Sequence, residues 1–109
     1  MLTLMNKKGK NIVTIDFPKE IEQINEGDYT IRISAPENSE VEISVNNGGW
    51  QPCRSAVGYH WFDWHPAGDT CCKLVARYRI GKGRWKKSDD RQCKVAATKP
   101  PINTGLTLD

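Results

Sequence analysis

Thr70–Ile80 reads TCCKLVARYRI, and its alternation decides the fold class. Cys72, Leu74, Ala76 and Tyr78 fall on one face, and Cys71, Lys73, Val75, Arg77 and Arg79 on the other. A helix would need its apolar residues three and four apart, so this stretch reads as a strand with the cysteine, leucine, alanine and tyrosine turned inward. Working outward, Arg91–Ala96 (RQCKVA) repeats the pattern with Cys93 and Val95 in phase, after a turn marked by Gly81, Lys82 and Gly83. Upstream, Glu40–Asn46 (EVEISVN) alternates Val41, Ile43 and Val45 with Glu42 and Ser44 and ends in Asn46, Asn47, Gly48 and Gly49. Those four residues tolerate positive φ and favour a hairpin. The chain then returns along Trp50–Arg54, where Pro52 lacks a backbone donor and confines the segment to an edge or a bulge.

Asp28–Ala35 (DYTIRISA) places Tyr29, Ile31 and Ile33 on one face, and Asn11–Phe17 (NIVTIDF) adds a further strand. Gly58–His65 (GYHWFDWH) is dense in aromatics: Tyr59, Trp61, Asp63 and His65 share one face, and His60, Phe62 and Trp64 the other. Pro18–Asn25 (PKEIEQIN), with Ile21 and Ile24 three apart after a proline, fits a helical turn used as a connector. About seven short strands separated by turn residues, at roughly ten-residue spacing, predict an all-β, immunoglobulin-like antiparallel β-sandwich. The sandwich is expected over residues 11–97, between a flexible segment 1–10 and a tail 98–109 that contains Pro100, Pro101 and Gly105.

The chain has 109 residues, enough for one domain and too few for two ordinary ones. Ile, Val, Leu and Phe together supply only 22 residues, so four Trp, three Tyr and four Cys must complete the core. No apolar run is long enough to span a membrane, and residues 1–10 (MLTLMNKKGK) lack the apolar stretch of a secretory signal. Cytoplasmic residence is the expectation. The net charge of +3 is too small a surplus to argue for nucleic acid as a partner, but charge is unevenly spread: residues 15–45 sum to −6 and residues 73–94 to +7. If these stretches lie at opposite ends, a head-to-tail contact between copies follows.

The run VEISVNNGGWQPC, then GYHWFDW, then LVARYRIGKGRW resembles immunoglobulin-like early-set (E-set) domains. It is most similar to the dimerisation domain of sulfite-oxidase-type molybdenum enzymes. Val41, Glu42, Ser44, Gly48, Gly49 and Trp50 carry the first part of that likeness, Trp61 and Trp64 the second, and Leu74, Ala76, Arg77 and Gly83 the third. Starch- and glycogen-binding modules show a similar cadence, in which Trp50 and Trp85 take the positions of sugar-stacking aromatics. Both likenesses imply a sandwich, and neither implies an activity carried by this chain.

The surplus aromatics mark the candidate binding residues. Trp50 and Trp85 sit beside turns, and Tyr59 and Trp61 share one strand face; large exposed rings suit a protein partner or a sugar ring. Catalytic motifs are lacking, and Asp63 with His60 and His65 is a thin basis for acid–base chemistry. Cys53, Cys71, Cys72, Cys93, His60 and His65 include no Cys-x-x-Cys pair, so free buried thiols are favoured over disulfides and those over a metal site. Cys72 and Cys93 are expected to be neighbours. The basic run RYRIGKGRWKK suits a phosphate surface, but alternating arginines on a solvated strand are the commoner cause. The sequence therefore predicts a non-catalytic association module without cofactor or metal, which contacts a protein or itself, with carbohydrate as the alternative ligand.

Overall fold

The computed structural model describes residues 12–97. Among these described residues ten strands are present: β1 (Thr14–Phe17), β2 (Glu22–Asn25), β3 (Tyr29–Ser34), β4 (Ser39–Val45), β5 (Gln51–Pro52), β6 (Arg54–Ala56), β7 (Tyr59–Trp64), β8 (Thr70–Ile80), β9 (Lys86–Lys87) and β10 (Arg91–Ala96). They form two sheets, one in the order β1-β3-β7-β6 and the other β2-β10-β8-β4-β5, with β9 on β8. The arrangement is an immunoglobulin-like β-sandwich. The expected segments 1–10 and 98–109 lie outside the described residues.

The core lies between the sheets and follows the sequence phases. Ile15, Ile31 and Ile33 face inward from one sheet, and Val41, Ile43, Leu74, Ala76, Tyr78, Cys72, Cys93 and Val95 from the other. Each fully buried aliphatic side chain contributes about 1.5–3 kcal/mol of transfer free energy. Phe62 and Trp64 pack against this core, so the inward half of the aromatic strand is the His60, Phe62 and Trp64 face.

Pro18–Asn25 departs from the helical expectation. Glu22 N–H donates to Lys19 O at 3.0 Å and closes a turn in which Ile21 takes φ 59°. Ile21 is thereby turned to solvent while Ile24 is buried, so the spacing of three does not mark a shared face. Residues 22–25 then run parallel to β10, which satisfies one of its edges. This pairing is the one parallel ladder among the described strands, which otherwise pair antiparallel.

The Asn-Asn-Gly-Gly turn forms as read. Asn46 and Asn47 have φ 52° and 62°, and Gly48 N–H donates to Val45 O at 2.9 Å. Asn46 also extends the β4–β8 ladder: its N–H donates to Lys73 O, and its Oδ1 accepts from Lys73 N–H at 2.9 Å. This turn delivers Trp50 to the outward side of the larger sheet. Pro52 lies in the edge strand β5, where a missing donor costs little.

Candidate aromatic and arginine contact surface

On the inward side of β8, Ala76 and Tyr78 are buried, so Arg77 and Arg79 project outward. The β4–β8 register sets Glu42 opposite Arg77 and Glu40 opposite Arg79. Arg77 Nε donates to Glu42 Oε1 at 2.9 Å, and Arg79 Nε donates to Glu40 Oε1 at 2.9 Å. Anchored in this way, the Arg77 guanidinium lies between two indoles, 4.2 Å from the Trp50 centroid and 4.1 Å from that of Trp85. Arg79 extends the array at 4.4 Å from Trp85, and Lys87 approaches Trp50 at 5.9 Å. Each cation–π contact is worth roughly 0.5–2 kcal/mol, depending on desolvation.

The opposite sheet carries a second mosaic. Arg32 stacks on Tyr59 at 4.1 Å and on Phe17 at 4.7 Å, while its Nε donates to Asp16. Tyr59 meets Trp61 edge to face with centroids 5.9 Å apart, and Trp61 Nε1 donates to Ala56 O at 2.8 Å. The four candidate aromatics therefore divide between two faces: Trp50 and Trp85 on one, Tyr59 and Trp61 on the other. All four are half-buried, and Trp50 and Trp85 are no more open as a class than the strand aromatics. Arg77 and Arg79, weighed in the sequence only as part of a phosphate surface or a solvated strand face, and Arg32, not singled out there, are the cations against which these rings stack. Their signal was available in the outward phase of Arg77 and Arg79, which reads equally as a solvated strand.

The charge stretches do not separate into two ends. Cross-strand pairs Glu42–Arg77 and Glu40–Arg79, with Arg91–Glu20, set acidic and basic residues side by side. A head-to-tail contact driven by oppositely charged ends therefore lacks its geometry. What remains uneven is the β8–β9 turn: Lys82, Arg84, Lys86 and Lys87 have no carboxylate partner among the described residues. A small cavity of about 190 Å³ there is bordered by Arg79, Ile80, Arg84 and Lys86. A wider groove of about 970 Å³ opens beside it, with Val13, Ile15 and Ala35 on one wall and Tyr78, Lys86 and Ser88 on the other.

The groups considered for acid–base chemistry diverge. His60 is buried, and desolvation lowers its pKa below 6.5. Asp63 faces outward, where hydrogen bonds from Arg54 and Thr30 hold it below the usual carboxylate range. His65 is exposed and pairs with Asp28 at 2.6 Å. Cys53, Cys71, Cys72 and Cys93 are free thiols, and burial pushes Cys53 up to about 12 and Cys93 up to about 11. Cys72 and Cys93 are direct cross-strand partners, as expected. Among the described residues, no three His, Cys, Asp or Glu side chains converge in a metal-ligand cluster.

No family model matches the sequence, and no curated protein matches it significantly. Six chains of known structure do match. A fibronectin(III)-like module of Clostridium thermocellum CbhA has a TM-score of 0.65 and 20% identity, covering 78% of this chain and 96% of that module. An engineered protein has a TM-score of 0.65 and 16% identity, covering 80% of this chain and 20% of its own length. At these identities the likeness is one of fold. The chain has the immunoglobulin-like sandwich of fibronectin(III)-like modules.

Proposed function

We propose that the chain is a non-catalytic immunoglobulin-like module that works by associating with another protein through the Trp50–Arg77–Trp85 face. The observation that carries this reading is the guanidinium held between two half-buried indoles on an open sheet face. Trp and Arg dominate the energetics of protein contacts, because both present large, preorganised surfaces. The resemblance to the dimerisation domain of sulfite-oxidase-type enzymes supports the same reading and keeps a second copy among the candidate partners. Four free thiols fit a reducing compartment such as the cytoplasm.

Carbohydrate binding is the weaker reading. A sugar stacks on an uncovered ring face, and Trp50, Trp85 and Tyr59 each have one face taken by a cation at 4.1–4.4 Å.

The test places a photoreactive benzoylphenylalanine at Pro52, which lies opposite Glu42 on the outward face of Trp50 and Arg77, or at Lys94, at the far end of the same sheet. Irradiation in the source cells is expected to give a discrete adduct from position 52, either to a foreign protein or to a second copy, and none from position 94. Absence of an adduct at 52, or the same adducts from both positions, contradicts the proposal. So does a saturable change in Trp fluorescence on adding soluble glucan.

A further inference from the structure

The association reading leaves open what the partner offers, and the charge on this face narrows it. Of the cations among the described residues, Arg32, Arg54, Lys73, Arg77, Arg79 and Arg91 have carboxylate partners. Of those without one, Lys82 and Arg84 lie in the short β8–β9 turn, and Lys86 and Lys87 form β9 next to it, Lys87 opposite Arg77 and Lys86 opposite Tyr78. That turn adjoins the tryptophan and arginine array directly: Trp85 lies within it, and Lys87 is the register partner of Arg77. Arg79, Arg84 and Lys86 border the same small cavity, with Ile80 half exposed beside them. Four cations without carboxylate partners within six consecutive residues repel one another, and an anionic guest relieves that repulsion.

We infer that this surface, from Trp50 across Arg77 and Trp85 to the Lys82–Lys87 turn, docks an acidic segment of a partner protein. The inference rests on the association reading and adds the chemistry of the partner to it. The turn cations would meet the carboxylates, and the indole edges of Trp50 and Trp85 would take an apolar side chain. An extended peptide of about eight to ten residues spans ~30 Å, enough to run from the turn to Trp50.

A nucleic acid is the other polyanion to weigh, and two observations disfavour it. Residues 12–97 hold twelve Lys and Arg against twelve Asp and Glu, so the sandwich as a whole lacks the charge surplus that drives phosphate-backbone binding. A guanidinium also covers one face of each indole, which leaves less ring area for base stacking. The basic patch is local, which suits a short acidic motif.

The experiment uses the full chain and a fluorescein-labelled peptide of alternating Glu and Asp with one Leu at its centre, read by anisotropy at low salt. Saturable binding is expected. Reversing charge in the turn, with Lys82→Glu and Arg84→Glu together, should weaken it by about tenfold or more, equivalent to ~1.4 kcal/mol. Trp85→Ala should weaken it comparably, and Lys94→Glu should leave it unchanged. Because the turn residues are exposed, the charge-reversal variant folds, and it stays informative even where Trp85→Ala does not. Binding that Lys94→Glu weakens as much as the turn reversal overturns the inference, as does tighter binding of a single-stranded oligothymidine of equal length. Absence of peptide binding overturns it too. In that case an adduct at position 52 leaves association standing with a partner of other chemistry, and the lack of one removes both readings.

Discussion

Arg77 is the residue on which the surface depends. A guanidinium bonded on one side to Glu42 is fixed in orientation, and this lets two tryptophans far apart in sequence stack on one group. The sequence made Trp50 and Trp85 visible as ring-bearing neighbours of turns. It did not reveal that they share a partner, because that depends on the β4–β8 register and on the path of two loops. His60 is the converse case, a polar residue in the inward phase of an aromatic strand. Burial lowers its pKa below 6.5, so the unfolded chain binds a proton more readily than the folded one. Its stabilising effect is complete above pH 6.5 and is lost as pH falls from 6.5 to the lower folded value. Urea unfolding at pH 7 and at pH 5.5 should therefore show a larger drop for the native chain than for His60→Gln. Equal drops would remove His60 as the cause.

Among the elements, the long alternating strands were legible and the short ones were not. β3, β4, β8 and β10 carry enough period-two signal to assign faces, and each buries the side its pattern indicates. β2 was hidden because two isoleucines three apart mimic a helix until the Lys19–Glu22 turn rotates one of them outward. β9 is two lysines and has no pattern to read. The β6–β7 hairpin shows local chemistry out of step with its geometry. Its two-residue turn places Val57 at φ 54° and Gly58 at φ 83°, with Val57 86% exposed. A β-branched residue there is strained and gains nothing from burial. Val57→Asn should stabilise the protein by about 1 kcal/mol, since Asn tolerates this backbone region. An unchanged or lower unfolding midpoint in denaturant would show that the turn relaxes around valine without cost.

For the whole molecule, the two sheets divide the chemistry. One outward face carries Arg32 with Tyr59, Trp61 and Phe17; the other carries Arg77 and Arg79 with Trp50 and Trp85 and continues into the unpaired cations of the β8–β9 turn. The three lysines of residues 1–11 equal the whole net charge of +3, so the sandwich itself is balanced and its basic patch is a local feature. Net charge along the sequence pointed to separated ends, whereas the fold pairs those stretches strand against strand, which only the register decides. Four tryptophans at distinct places make a direct reporter of which face is used. Indole N–H signals of the labelled protein, followed by NMR as the acidic peptide is added, should shift for Trp50 and Trp85 and stay fixed for Trp61 and Trp64. Movement of Trp61 alone, or of none of the four, would contradict the assignment of this face as the contact surface.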